Sequence, residues 1–137
     1  MRTFAELRAF VRIAFTHTFD EPPLIKVRVQ GTSHEETVGM AVIDYATQPC
    51  VLVMLDVCGE DALSPARALE LNRDIGPASL VPVGGRYLLR QVMPLSETTA
   101  PFLRWTCCYV VDQARRVHDG LGRNLRGDAG CYAHFVE

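Results

Sequence analysis

The C-terminal part of the chain carries an apolar repeat that predicts a long helix over residues 99–121. The repeat advances by alternating steps of four and three residues, as Leu103, Cys107, Val110, Ala114, Val117 and Leu121. These steps keep the side chains on one face of an α-helix for about five turns. Such a helix has to bury that face against another layer, so the repeat implies a sheet or a second helix beneath it.

A second line of side chains on the same helix consists of Phe102, Trp105 and Tyr109, which we name the aromatic strip. The strip is displaced from the apolar repeat by most of a quarter turn, so both sets cannot point into one core. One interpretation is that the rings widen the core-facing surface. The alternative is an interface, because aromatic residues are enriched in both settings. We expect the strip to contact a partner polypeptide or a second subunit, since rings left in water would form an unusually large apolar patch.

Three stretches have the patterns of β-strands, at residues 24–29, 37–44 and 50–57. In the first, apolar and charged residues alternate, as expected of an edge or half-covered strand. The other two are nearly continuous apolar runs, which is typical of central strands that are partly buried on both faces. The short connections between the three favour antiparallel hairpins.

Two helix starts are marked by capping residues. Thr3 and Glu6 form a capping box at the head of an N-terminal helix, which the prolines of the segment at residues 20–23 end. Ser64 followed by Pro65 opens a short second helix, and Gly76 before Pro77 ends it.

The Gly84-Gly85 pair raises the question of a phosphate-binding loop. Such a loop needs several glycines between a strand and a helix N-terminus, whereas this pair lies between two apolar, strand-like runs. It therefore predicts a two-residue hairpin turn with positive φ angles. Pro82 cannot donate a ladder hydrogen bond, which places the strand at residues 78–83 on a sheet edge.

Together these patterns predict an α+β fold in the order α-β-β-β-α-β-β-α, with a five-stranded antiparallel sheet and the helices packed on one face. We expect a single domain over residues 1–122. Residues 123–137 would form a C-terminal tail docked on it.

Charge and hydropathy exclude several classes of function. A net charge of −2 and a pI near 6.1 argue against nucleic-acid binding. The longest apolar run, residues 50–58, is interrupted by Asp56 and is too short to cross a bilayer. Charged residues break up the N-terminal stretch, so it does not resemble a signal peptide. We expect a cytoplasmic protein with no membrane contact.

The five cysteines form no C-x-x-C pair, and free thiols in a reducing compartment are the expected state. Cys131 and His134 come closest to metal-ligand spacing, yet a structural zinc needs four ligands. We therefore expect no metal, no cofactor and no catalytic residues. The alternative is a small cytosolic enzyme that joins Cys58, Glu60 and Asp61 to a histidine, or that uses Asp44 and Asp56 as a carboxylate pair.

The order of elements, the chain length and the stretch at residues 69–95 resemble the type III secretion chaperone-like fold, which includes the YbjN-like bacterial sensory-transduction regulators. The positions that carry the resemblance are Leu71, Asn72, Gly84, Gly85, Leu88, Leu89 and Pro94. The resemblance covers roughly residues 4–121, and its residues are mostly structural. It implies a small, non-enzymatic protein, often a homodimer, that holds a partner polypeptide along its helices and sheet.

Overall fold

The computed structural model describes residues 3–15, 18–21 and 24–124, with side chains for 3–15 and 24–120. Within these ranges the chain forms three α-helices and a six-stranded sheet. In chain order the elements are α1 (Phe4–Ala14), β1 (Thr18–Glu21), β2 (Leu24–Gln30), β3 (Glu35–Tyr45), β4 (Gln48–Gly59), α2 (Pro65–Asn72), β5 (Ser79–Val83), β6 (Arg86–Pro94) and α3 (Ala100–Asn124).

The sheet is antiparallel throughout, with the strand order β1-β2-β3-β4-β6-β5. The predicted α+β class and the predicted order of helices and strands are confirmed. The four-residue strand β1 extends the sheet beyond the five strands read from the sequence. It lacks an apolar alternation of its own and forms by pairing with the outer edge of β2, from Thr18 opposite Val27 to Glu21 opposite Leu24.

All three helices lie on one face of the sheet. The helix α3 packs along β2, β3, β4 and β6, and Leu7 and Val11 of α1 join the same core. The repeat on α3 is buried as predicted at Leu103, Cys107, Val110, Ala114 and Val117. Leu121, the sixth member, lies outside the described side chains. Each fully buried Leu or Val contributes about 1.5–3 kcal/mol relative to an exposed one.

The described helices leave the other face of the sheet uncovered. We name it the open face and define it by its central side chains, Ala41, Leu52, Met54, Leu88 and Val92. Successive side chains on a strand point to opposite faces, and the apolar runs of β3 and β4 therefore place apolar groups on both. The sheet order confirms that these two strands are central, and each carries buried or half-buried side chains on both faces.

The two predicted caps are present. The side-chain oxygen of Thr3 accepts a hydrogen bond from the Glu6 N–H at 3.1 Å, and that of Ser64 accepts from the Arg67 N–H at 3.1 Å. The helix α2 ends at Asn72, earlier than its predicted glycine exit, because the Asn72 amide pairs with both backbone groups of Leu80. This pair ties the end of α2 to the edge strand β5.

Two hairpins have two-residue turns with positive φ. In the β5–β6 turn these residues are Gly84 and Gly85, at φ 57° and 82°, which confirms the predicted hairpin. In the β3–β4 turn they are Ala46 and Thr47, at φ 51° and 67°. Residues with a Cβ are strained there, and a β-branched residue is strained most.

Replacing Gly85 with Val should lower the free energy of unfolding by about 1–3 kcal/mol, because a β-branched residue is strained at positive φ. A Cβ at this position meets no atom within 4 Å, so the loss would come from the backbone alone. Chemical denaturation measures it. Gly85→Asn is the matched control, since Asn tolerates positive φ and should cost much less. Equal losses for Val and Asn would contradict the turn geometry.

The double substitution Ala46→Asn, Thr47→Gly should stabilise the chain by about 1 kcal/mol, because Asn-Gly is the preferred sequence for this turn. Thermal unfolding measures the change. Thr47→Val keeps the strain and removes the bond from the Thr47 hydroxyl to the Ala46 carbonyl, so it should bring no gain. A double variant no more stable than the wild type would show that these φ values are not strained.

Candidate functional site

The aromatic strip forms a continuous stack along one side of α3. The rings of Phe102 and Trp105 lie 5.8 Å apart at an interplanar angle of 15°, and those of Trp105 and Tyr109 lie 4.9 Å apart at 18°. Phe102 is 41% exposed and Trp105 is 49% exposed, while the neighbouring repeat on α3 is buried. The displacement between the two sets is therefore as expected from helix geometry, and the role of the strip as an interface stays a prediction.

Tyr109 fixes the inner end of this stack. Its hydroxyl donates a hydrogen bond to the backbone oxygen of Ile75 at 2.6 Å, and its ring packs against the core. Gly76, which follows Ile75, has φ +62°, and a Cβ there would lie 2.5 Å from the Tyr109 hydroxyl oxygen. Gly76 thus serves a close approach of the backbone to Tyr109. The strip divides into one anchored ring and two rings open to solvent.

The open face is a second apolar surface. Leu52 lies between Ala41 and Val92 in the register, and Met54 lies beside Arg90. Ala41 is buried, whereas Val92 is 39% exposed. The missing alternation in β3 and β4 was the sequence signal for this surface, although the sequence did not show which side the helices would leave uncovered.

A cluster of ionisable side chains lies between the start of β3 and the C-terminal half of α3. Glu36 is 6% exposed and His118 is 2% exposed. Burial raises the pKa of Glu36 to about 7, and nearby Arg28 and Arg115 oppose that rise. The pKa values of His34 and His118 are lowered, in both cases mainly by burial. Sequence reasoning missed this cluster because its members are far apart in the chain and form no motif.

Cys107 and Cys108, the two adjacent cysteines of α3, are not activated nucleophiles. Burial raises the pKa of Cys107 to about 12, with the adjacent Cys108 adding to the rise. Burial also raises the pKa of Cys108, and Asp112 adds to it. A thiol is a nucleophile only as its thiolate, so these two are unreactive near neutral pH. Cys58 is buried in β4, while Glu60 and Asp61 in the following turn are exposed.

The alternative of an Asp44–Asp56 carboxylate pair is wrong. Asp44 lies opposite Pro49 at the far end of the β3–β4 hairpin, and Asp56 lies on the open face. Asp56 accepts hydrogen bonds from both Nε and Nη2 of Arg86, the shortest at 2.9 Å. Residues of opposite parity on the paired strands point to opposite faces, which separates the two carboxylates.

Among the described residues, no group of three or more His, Cys, Asp or Glu side chains is arranged to hold a metal ion. Cys131 and His134 lie outside the described residues, as does the predicted tail from residue 125 onward. No helix in the described ranges is long and apolar enough to cross a membrane.

Comparison with known proteins returned no match among protein-family models, curated proteins or solved structures.

Replacing Tyr109 with Phe should lower the free energy of unfolding by about 1 kcal/mol or more, because the Ile75 carbonyl oxygen loses its hydrogen bond. Urea denaturation measures the loss. Tyr45→Phe is the matched control, since Tyr45 is 67% exposed at a hairpin tip and should change stability little. Equal effects of the two substitutions would contradict the anchoring role of Tyr109.

Proposed function

We propose that this chain is a non-enzymatic protein-binding module of the bacterial cytoplasm, similar in role to secretion chaperones or YbjN-like regulators. In this proposal the aromatic strip on α3 holds a partner polypeptide. The observation that carries it is the exposure of Phe102 and Trp105 in a stack whose third ring, Tyr109, is anchored to the backbone.

The energetics of the strip support this role. Covering the exposed parts of Phe102 and Trp105 would remove roughly 200 Å² of apolar surface from water, a gross gain of about 5 kcal/mol. The stack already fixes the ring orientations, so binding costs these side chains little conformational freedom. Aromatic residues in such settings often dominate the binding energy of an interface.

A second copy of the chain is the other occupant compatible with the strip, as expected from the resemblance to homodimeric families. The small-enzyme alternative has less support, because its nucleophile Cys58 is buried whereas Glu60 and Asp61 are exposed. Asp44 and Asp56 are separated, which removes its carboxylate pair. We therefore keep binding as the proposed activity.

Trp105→Ala should abolish retention of the partner, because it removes the central ring of the stack. The measurement is co-purification of tagged protein from the native cell, with sedimentation of the purified chain beside it. Leu69→Ala is the matched control, since Leu69 is 68% exposed on α2 and lies outside the strip. We expect one polypeptide, or a second copy of the chain, to be retained by the wild type and the control and lost from Trp105→Ala.

Trp105 is the single tryptophan of the chain, so its fluorescence reports on the strip directly. We expect the emission of the isolated monomer to be that of a half-exposed ring and to shift to shorter wavelength in the complex. A wild type that stays monomeric and retains nothing, or a partner held equally well by Trp105→Ala, would overturn the proposal.

A further inference from the structure

The loop between β2 and β3 is clamped onto the middle of α3. The N–H and the hydroxyl of Thr32 donate hydrogen bonds to the two carboxylate oxygens of Asp112, each at 2.7 Å. Gly31 lies so close to the helix that a Cβ there would be 2.7 Å from both Asp112 Oδ1 and Val111 Cγ1. We call this contact the loop clamp.

A further contact supports the loop clamp one turn earlier on α3. The Cys108 thiol donates a hydrogen bond to the backbone oxygen of Gln30, with 3.5 Å between sulfur and oxygen. The loop also closes on itself, since the Gly31 N–H donates to the His34 carbonyl at 2.8 Å. Lifting the loop from α3 would therefore break the hydrogen bonds of the Thr32 amide and of the Cys108 thiol.

Glu36 lies at the base of this loop, on the face of β3 that is turned toward α3. Its Oε1 atom is buried without a hydrogen bond and lies 3.4 Å from Nε2 of His34. A buried carboxylate oxygen with no donor is costly when charged, whereas a protonated carboxyl loses that charge and gains a donor.

The charged groups around Glu36 come from three elements. His34 lies in the loop just before β3. Arg28 of β2 and Arg115 of α3 both lower the pKa of Glu36. On α3, the charges of Asp112 and Asp119 raise the pKa of His34. His34 in turn lowers the pKa of His118. The nearest part of β4 contributes Val57, whose backbone bonds His118 and brings no charge.

We propose that Glu36 is the pH-sensitive element of a latch that holds the β2–β3 loop on α3, closed when its carboxyl is protonated and loosened when it ionises. The inference is independent of the proposed binding function. It follows from the loop clamp and from the burial of a carboxyl at its base.

The direction of the pH response follows from the pKa shifts. The pKa of Glu36 is raised by folding from 4.5 to about 7, so its contribution to stability is full below 4.5 and is lost as pH rises through 7. The pKa values of His34 and His118 are lowered from 6.5, so their contribution is present above 6.5 and is lost as pH falls. Of these three groups, only Glu36 loosens the latch as pH rises.

The test is hydrogen exchange of the Thr32 amide, which is bonded to α3, by NMR between pH 4 and pH 9, expressed as protection factors. We expect wild-type protection to fall as pH rises from about 4.5 to about 7, by at most tenfold per pH unit, and to level off above pH 7, where the carboxyl is ionised in the closed and the open loop alike. Glu36→Gln should remove this fall. The matched control is Glu97→Gln, because Glu97 is an exposed glutamate between β6 and α3 and should leave the wild-type response in place.

Amides of the central strand β4 should keep higher protection factors than the Thr32 amide at every pH in this range, which separates loop opening from global unfolding. Asp112→Ala should give low protection of the Thr32 amide at every pH, because it removes the loop clamp. If Glu36→Gln does not fold, the carboxyl carbon of Glu36 is titrated in the wild type, where we expect an inflection near pH 7. Flat wild-type protection, an unchanged fall in Glu36→Gln, or an inflection at an ordinary Glu pKa would overturn the latch.

Discussion

The burial of one face of α3 against the sheet is the contact on which the rest of the structure depends. The side chains of Leu103, Cys107 and Val110 lie fully buried over the central strands, and the apolar residues of β2, β3, β4 and β6 face them. This packing accounts for much of the apolar area removed from water on folding. It also fixes how α3 is rotated about its axis, because a helix with one buried face has no freedom to turn.

That rotation determines both surfaces of interest. It turns Phe102 and Trp105 outward and brings Tyr109 to the loop after α2, where its hydroxyl is bonded. On the opposite flank it presents Asp112 and Arg115 to the β2–β3 loop. The aromatic strip and the latch are therefore two consequences of the same helix orientation, one apolar and exposed, the other polar and largely buried.

The latch places polar groups where apolar ones would be more stable. A core position on β3 holds Glu36, and α3 buries His118. Burying ionisable groups costs free energy that hydrophobic residues would not, and the cost appears here as displaced pKa values. The proposed gain is a loop whose attachment depends on a single proton. The hydrogen bonds from Thr32 to Asp112 hold that loop on α3.

The sequence by itself determined the helices, the main strands, the Gly84-Gly85 turn and the edge position of the Pro82 strand, because local periodicity, caps and proline chemistry act over a few residues. It also placed the aromatic strip beside the apolar repeat, since spacing on one helix needs no tertiary information. Tertiary structure alone decided the pairing of β1, the strained Ala46-Thr47 turn and the anchoring of Tyr109 on Ile75. It alone brought Arg115 of α3 close to Glu36 of β3, because residues on different elements meet only when the helix settles on the sheet, and no local pattern encodes that meeting.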